Sequence, residues 1–218
     1  MKSKEELERL IDVYKYAKID KYNREMNALE WIDNNYSDGI IKDVSDVFYI
    51  DDVLISNTIF DSVDFSNIKF DKTEFRDVVF INSDLSNKNF DKSLFNRCSF
   101  INCKLVGVSF IDASLKYVEM NSCECRYMNL SNATIFNSIF NDSNMSDNNF
   151  IETNIKKIEF NNVNLSNTEF YNTNLKGVDV SSCKITNLLI DKVSLKGLII
   201  DQFQSVELIG LLGVEIKQ

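Results

Sequence analysis

The 218-residue chain contains no histidine and no proline, with only six glycines and one tryptophan. Without histidine, the commonest general base and the commonest metal ligand are both missing. The few glycines form neither a GxGxxG nor a Walker pattern, which excludes phosphate-cradling loops. No apolar run approaches the roughly eighteen residues of a membrane span, and the opening MKSKEELERL lacks the apolar core of a signal peptide. A cytoplasmic protein without membrane association is expected. The five cysteines, an odd number, suit reduced thiols better than a disulfide framework. A net charge of −9 argues against direct nucleic-acid binding and permits a partner with a basic surface.

What is present is a period of five. In FNNVNLSNTEFYNTNLKGVDV, residues 160–180, a large apolar residue falls on every fifth position: Phe160, Leu165, Phe170, Leu175 and Val180. Strands bury every second residue and helices every third or fourth, so neither element alone accounts for it. From 60 to 200 in steps of five there are 29 positions, all apolar apart from the weakly polar thiol of Cys125. The phase is unbroken, so no insertion is expected within the array. A second row of small or β-branched residues lies two positions earlier, as at Thr58, Val63, Ile68, Thr73, Val78, Ser83, Cys98, Cys103 and Val108. These side chains are expected to point inward as well.

The blocks SDLSN (83–87), ATIFN (133–137), VNLSN (163–167) and TNLKG (173–177) resemble the A(D/N)LXX unit of the pentapeptide-repeat family. The resemblance spans roughly residues 48–200. It implies an all-β solenoid, a right-handed quadrilateral β-helix with one block per side and four blocks per turn. Residues twenty apart then stack at about 4.8 Å. Phe60, Phe80, Phe100, Met120, Phe140 and Phe160 form one column, and Phe70, Phe90, Phe110, Leu130, Phe150 and Phe170 the opposite one. The turn 120–135 has no Phe centre, and Met128 is expected to make up its volume; Leu188, Val193 and Leu198 should do the same near the end. Lys88 and Asn148 are misfits in the inward row. A corner distortion is expected there, with a functional lysine as the alternative.

Three regions follow. Residues 1–47 do not keep the five-residue period; Leu7, Leu10, Ile11, Tyr14 and Ala17 fit one helical face, and a second helix is expected over about 23–36. They read as an N-terminal helical cap, or alternatively as a partner-binding module. Residues 48–200 form the β-helix, and residues 201–218 a C-terminal capping segment with a short helix. There Phe203, Val206, Ile209, Leu212 and Val214 make an apolar surface that resembles the closing segment of quinolone-resistance members, implying a homodimer through this end. A cap without a partner is the alternative.

Chemistry is sparse. The cysteines all fall in inward rows, and CEC at 123–125 has no second ligand pair at zinc spacing. No metal, cofactor or catalytic pair is expected, which leaves the outer surface. Charges in 51–200 are 15 positive and 19 negative. Arg76, Lys116, Lys156, Lys176 and Lys196 are expected on one basic stripe, with Arg97 and Lys157 beside it. Glu119, Asp142, Asp147, Glu152, Glu159 and Asp179 are taken as a candidate acidic interaction surface. The quinolone-resistance resemblance implies a non-enzymatic, DNA-imitating binder of type II topoisomerase. A protein-interaction scaffold contacting its partner through the N-terminal helices is the alternative.

Overall fold

The computed structural model describes residues 36–41 and 48–212. They form a right-handed quadrilateral β-helix of about seven turns. Strand β1 (Tyr36–Ile41) is followed by β2 (Phe48–Asp51) and β3 (Leu54–Asp61). Next come β4 (Ile68–Asp71), β5 (Glu74–Arg76), β6 (Val79–Ile81), β7 (Leu94–Asn96) and β8 (Ser99–Ile101). The array continues with β9 (Ser114–Lys116), β10 (Glu119–Asn121), β11 (Thr134–Asn141) and β12 (Asn154–Asn161). It closes with β13 (Glu169–Phe170), β14 (Leu189–Ile190) and helix α1 (Gln204–Ile209).

All pairing is parallel, and from β2 onward each residue pairs with the one twenty further on, as in Phe75↔Phe95 and Phe140↔Phe160. Four five-residue blocks therefore make one turn. Two adjacent sides carry the ten-stranded sheet, with β3, β11 and β12 bending around the corner between them. The other two sides are joined mostly by isolated bridges such as Asp84↔Lys104 and Asn129↔Asn149. The corner residue lies two positions after each centre. Among the described residues, 24 non-glycine corners have φ between +44° and +63°, and ten of these are Asn and five Asp. Short polar side chains tolerate this left-handed backbone best, which is why the corners are rich in them.

The core is the centre row. Every centre from Phe60 to Ile190 is buried, and only Leu195 and Ile200 are half-buried. Rings stack at the rung spacing: Phe80 and Phe100 lie 4.7 Å apart at 3°, and Phe75 and Phe95 4.7 Å apart at 15°. Phe160 meets Phe170 across the axis edge-on at 6.5 Å. In the turn without phenylalanine, Met128 is buried as expected and the Cys125 thiol lies 3.9 Å from the Met120 sulfur.

The second row is a polar seam as well as a packing row. Hydroxyls of Ser83, Ser138, Ser143 and Thr173 accept the backbone N–H of Val63, Val118, Cys123 and Thr153, each twenty residues earlier, at 3.0–3.2 Å. The same hydroxyls donate to the carbonyl two residues back, Ser143 to Asn141 at 2.7 Å for example. Cys98 and Cys123 place their thiols toward the corresponding carbonyls. A thiol substitutes for serine here because both are small and both donate.

Four expectations need correction. First, Tyr36–Ile41 is a strand inside the stretch read as a cap. Its Ile41 pairs with Phe60, nineteen residues on, where later pairs are twenty apart. The one-residue offset hides it from a period anchored at 60. The two expected N-terminal helices otherwise lie outside the described residues. Second, Asn148 causes no distortion: its Oδ1 accepts the Met128 N–H at 2.7 Å, the role serine plays elsewhere, and the ladder runs on through Glu169 N to Asn148 O at 2.8 Å. Third, Lys88 leaves the ladder intact as well. Its side chain reaches outward, and the ammonium donates to the carbonyls of Ser66 and Ile68, both at 3.0 Å. Partial burial pulls its pKa down, opposed by Asp64 and Asp84.

Fourth, the phase does slip once. Val193, expected inward, is 74% exposed, and Ser194 is fully buried instead. The Asp191 carboxylate accepts the Ser194 N–H at 2.6 Å and Leu195 N–H closes back on the Asp191 carbonyl, forming a helical turn. Ser194 then accepts the Thr173 N–H, twenty-one residues earlier. Beyond it, α1 closes the rod. Gln204 is buried and its amide donates to the carbonyls of Val180 and Cys183 at 2.8 and 2.7 Å, acceptors that another coil would otherwise satisfy. Leu208 covers the last core layer.

Candidate interaction surface

Only three positions in each block face outward: the two flanking the centre and the corner. Their columns define what each side of the rod presents. On the side carrying β6, β8, β10 and the later halves of β3, β11 and β12, the column before the centre runs Val79, Ser99, Glu119, Ile139, Glu159 by direct register. Asp179 is twenty residues beyond Glu159, and Asp142 stands at the corner of the same side. From 119 to 182 the outward positions of this side hold Glu119, Asp142, Glu159 and Asp179 and no cation. We call it the acidic face.

The carboxylates on it are ordered by short polar neighbours. Asn121 donates to Glu119 at 2.9 Å, and Asn162 to Asp142 at 2.7 Å. The Ser181 hydroxyl and backbone N–H hold the Asp179 carboxyl below the usual carboxylate range. Asparagine ladders run up the face, Asn161 to Asn141 at 2.8 Å and Asn141 to Asn121 at 2.7 Å. The remaining two members of the sequence-read cluster lie elsewhere. Asp147 and Glu152 occupy the next two corners, Asp147 accepting from Asn167 at 3.0 Å. The six carboxylates are therefore not one surface.

The same face has a lower apolar portion that sequence reading missed. Ile59, Val79 and Ile81 point outward yet are buried, with Ile101 packed against them. Four apolar letters at outward positions are the signal that would have found it.

The adjacent side, carrying β5, β7, β9 and the first halves of β3, β11 and β12, holds the basic stripe. Arg76, Asn96, Lys116, Phe136 and Lys156 stack in register. Lys176 lies against Gly197, and the Gly177 N–H donates to the Gly197 carbonyl rather than to that of Lys196, so the helical turn moves Lys196 out of line. The lower part of the stripe is neutralised. Arg76 pairs with Glu74 at 2.5 Å, and Arg97 forms a two-pronged contact with Asp77, both N–O distances 2.7 Å. Above it, Lys116 and Lys156 border an open groove of about 400 Å³ lined also by Tyr117, Thr134, Ile135, Phe136 and Asn154, and the Lys157 ammonium lies over the Phe136 ring.

At the C-terminal end, Phe203 and Val206 are 77% and 60% exposed, while Gln204 and Leu208 face the rod. Ile209 is half-buried; the backbone of Leu212 ends a short 3-10 turn, and Val214 lies outside the described residues.

All five cysteines are free and buried. Burial pushes the Cys98 thiol up to about 12, and contact with the Cys123 thiol, then burial, raises that of Cys103. Such thiols are held in their unreactive protonated form. Among the described residues no three His, Cys, Asp or Glu side chains are grouped to hold a metal ion, and no helix is long and apolar enough to cross a membrane.

Five-residue blocks stacked four to a turn, with centres buried and corners in the left-handed region, define a four-sided β-solenoid. Residues 73–138 and 93–170 match the model of the pentapeptide repeat region, and residues 157–187 that of pentapeptide repeats (8 copies). The chain belongs to the pentapeptide-repeat family. Among solved structures it is similar to a trypsin-treated form of QnrB1, a plasmid-mediated fluoroquinolone resistance protein, at 19% identity over 82% of this chain and 96% of that one, TM-score 0.39. Full-length QnrB1 matches at 18% identity over 81% and 99%, TM-score 0.30. HetL, a pentapeptide repeat protein involved in heterocyst differentiation regulation from Nostoc sp. strain PCC 7120, matches at 12% identity over 74% and 90%, TM-score 0.23. No curated protein matches the chain.

Proposed function

We propose that this protein is a non-enzymatic binder that lays its acidic face against a basic groove of another macromolecule, with type II topoisomerase as the partner. The observation that carries the reading is the segregation of charge: four outward carboxylates and no cation on one side of the rod between 119 and 182. Registered strands fix two of them, Glu119 and Glu159, two rungs apart, about 10 Å along the axis. A rigid column of anions is what a groove built for a phosphate backbone attracts. The family's quinolone-resistance members supply the choice of partner, and fluoroquinolone tolerance would be its consequence.

The exposed Phe203 and Val206 support a homodimer through the C-terminal end, which would double the length of acidic face offered to a two-fold symmetric enzyme. A gyrase supercoiling assay, with and without a fluoroquinolone, tests the reading. Inhibition of supercoiling, or relief of drug-induced cleavage, is expected at about micromolar protein; no effect on either would sink the topoisomerase assignment. In that case the remaining reading is a scaffold for a different basic partner.

A further inference from the structure

We propose that the groove on the lysine face is a second binding site, one that docks an acidic peptide segment of a partner protein carrying an aromatic or aliphatic anchor. It lies around the corner from the acidic face and does not depend on what that face binds.

The groove is built from registered elements. Lys116, Phe136 and Lys156 occupy successive rungs of β9, β11 and β12, so Phe136 stands between two lysines in its column. The Tyr117 ring meets it edge-on at 5.6 Å, and Lys157 Nζ lies 5.9 Å from its ring centroid. Among the described residues, none of the three lysines forms an ion pair, in contrast to Arg76 and Arg97 lower on the same side. Between 114 and 177 the outward positions of this side hold Lys116, Lys156, Lys157 and Lys176 and no carboxylate, on a chain whose net charge is −9. Three uncompensated cations around a half-exposed aromatic pair, with Lys176 further along the same side, have no role in holding the rod together. Their charge is complementary to a carboxylate-bearing ligand, and the ring edges to an apolar side chain.

The geometry favours a peptide over a nucleic acid. Lys157 covers the face of Phe136 on which a base would stack. The groove, about 400 Å³ and open, accommodates one or two anchor side chains rather than a run of nucleotides.

The test uses a fluorescein-labelled peptide of alternating Glu and Gly with one central Phe, read by anisotropy against the full chain. Binding is expected at about 10–100 µM and should weaken with added salt. Lys116→Gln with Lys156→Gln should weaken it by about tenfold, and Phe136→Ala by severalfold, whereas Lys184→Gln with Lys192→Gln on other sides should leave it unchanged. Circular dichroism establishes that each variant keeps the fold. The proposal is overturned by any of three results: no binding at about 1 mM, equal loss in the variants on the other sides, or an oligothymidylate of matched charge binding as tightly as the peptide.

Discussion

Removing the ring of Phe110 is the sharpest test of how the rod is held together. Phe110 has no exposed surface; it stacks on Phe90 at 5.6 Å and meets the edge of Phe95 at 5.5 Å. Phe110→Ala deletes the ring from a layer whose backbone is pinned above and below. Phe110 N–H donates to Asn129 O at 2.7 Å on the rung above, and Ser109 O accepts the Phe90 N–H at 2.8 Å from the rung below. With rung spacing fixed by those bonds, neighbours cannot close the void. The loss should sit in the upper part of the usual range for such truncations, about 4–5 kcal/mol, which includes roughly 1 kcal/mol for the ring contacts. Guanidinium unfolding followed by circular dichroism measures it. Tyr127→Ala, on an exposed ring away from the C-terminal end, is the control and should change stability by less than about 0.5 kcal/mol. A Phe110→Ala variant within about 1 kcal/mol of the parent would refute the close-packed layer model.

Three further outcomes follow from local geometry. At Gly107 φ is +69°, and an added Cβ would lie 2.6 Å from Asn87 Oδ1, whereas Gly177 at +81° has open space around it. Gly107→Ala should therefore cost more than the roughly 1 kcal/mol set by backbone conformation alone at Gly177→Ala, compared by thermal melts. Backbone N–H bonds from Ser194 and Asn172 depress the Asp191 pKa, so the folded state binds this proton more weakly than the unfolded chain. That contribution is present above the unfolded value and is lost as pH falls below about 4. Asp191→Asn should lower the melting temperature at pH 7 and flatten its decline in acid; an unchanged acid limb would contradict the assignment. Val206→Glu should leave the circular dichroism spectrum intact while halving the mass measured by light scattering, and a monomeric parent would dispose of the C-terminal dimer.

The five-residue period made the architecture legible because a solenoid repeats one local solution: centre inward, corner in the left-handed region, twenty residues per rung. What the period hid were departures from that solution. Tyr36–Ile41 is offset by one residue, so a frame anchored at Phe60 passes over it. The slip at Val193 comes from a side-chain bond, Asp191 to the Ser194 N–H, which converts one side into a helical turn; an Asp three residues before a Ser was its only trace. Lys88 and Asn148 looked like defects because residue type alone does not say that a long chain can turn outward or that an amide can stand in for a hydroxyl. The surface was read less well than the core. Glu119 and Glu159 share a column, but Asp147 and Glu152 lie on other corners, since residue number gives a side of the rod only when taken in twenties. The Arg97–Asp77 pair likewise spans twenty residues, which is why the basic stripe looked less compensated than it is.

Charge-segregated binding is the central claim, and direct titration against gyrase tests it best. The variant Glu119→Gln, Asp142→Asn, Glu159→Gln, Asp179→Asn removes the four carboxylates of the acidic face. Its control, Asp112→Asn, Asp147→Asn, Glu152→Gln, Glu169→Gln, removes four from other sides with the same change in net charge. The account expects the first to weaken binding by about a hundredfold and the second by less than about threefold. Equal loss in both, or binding by neither variant nor parent, would contradict it.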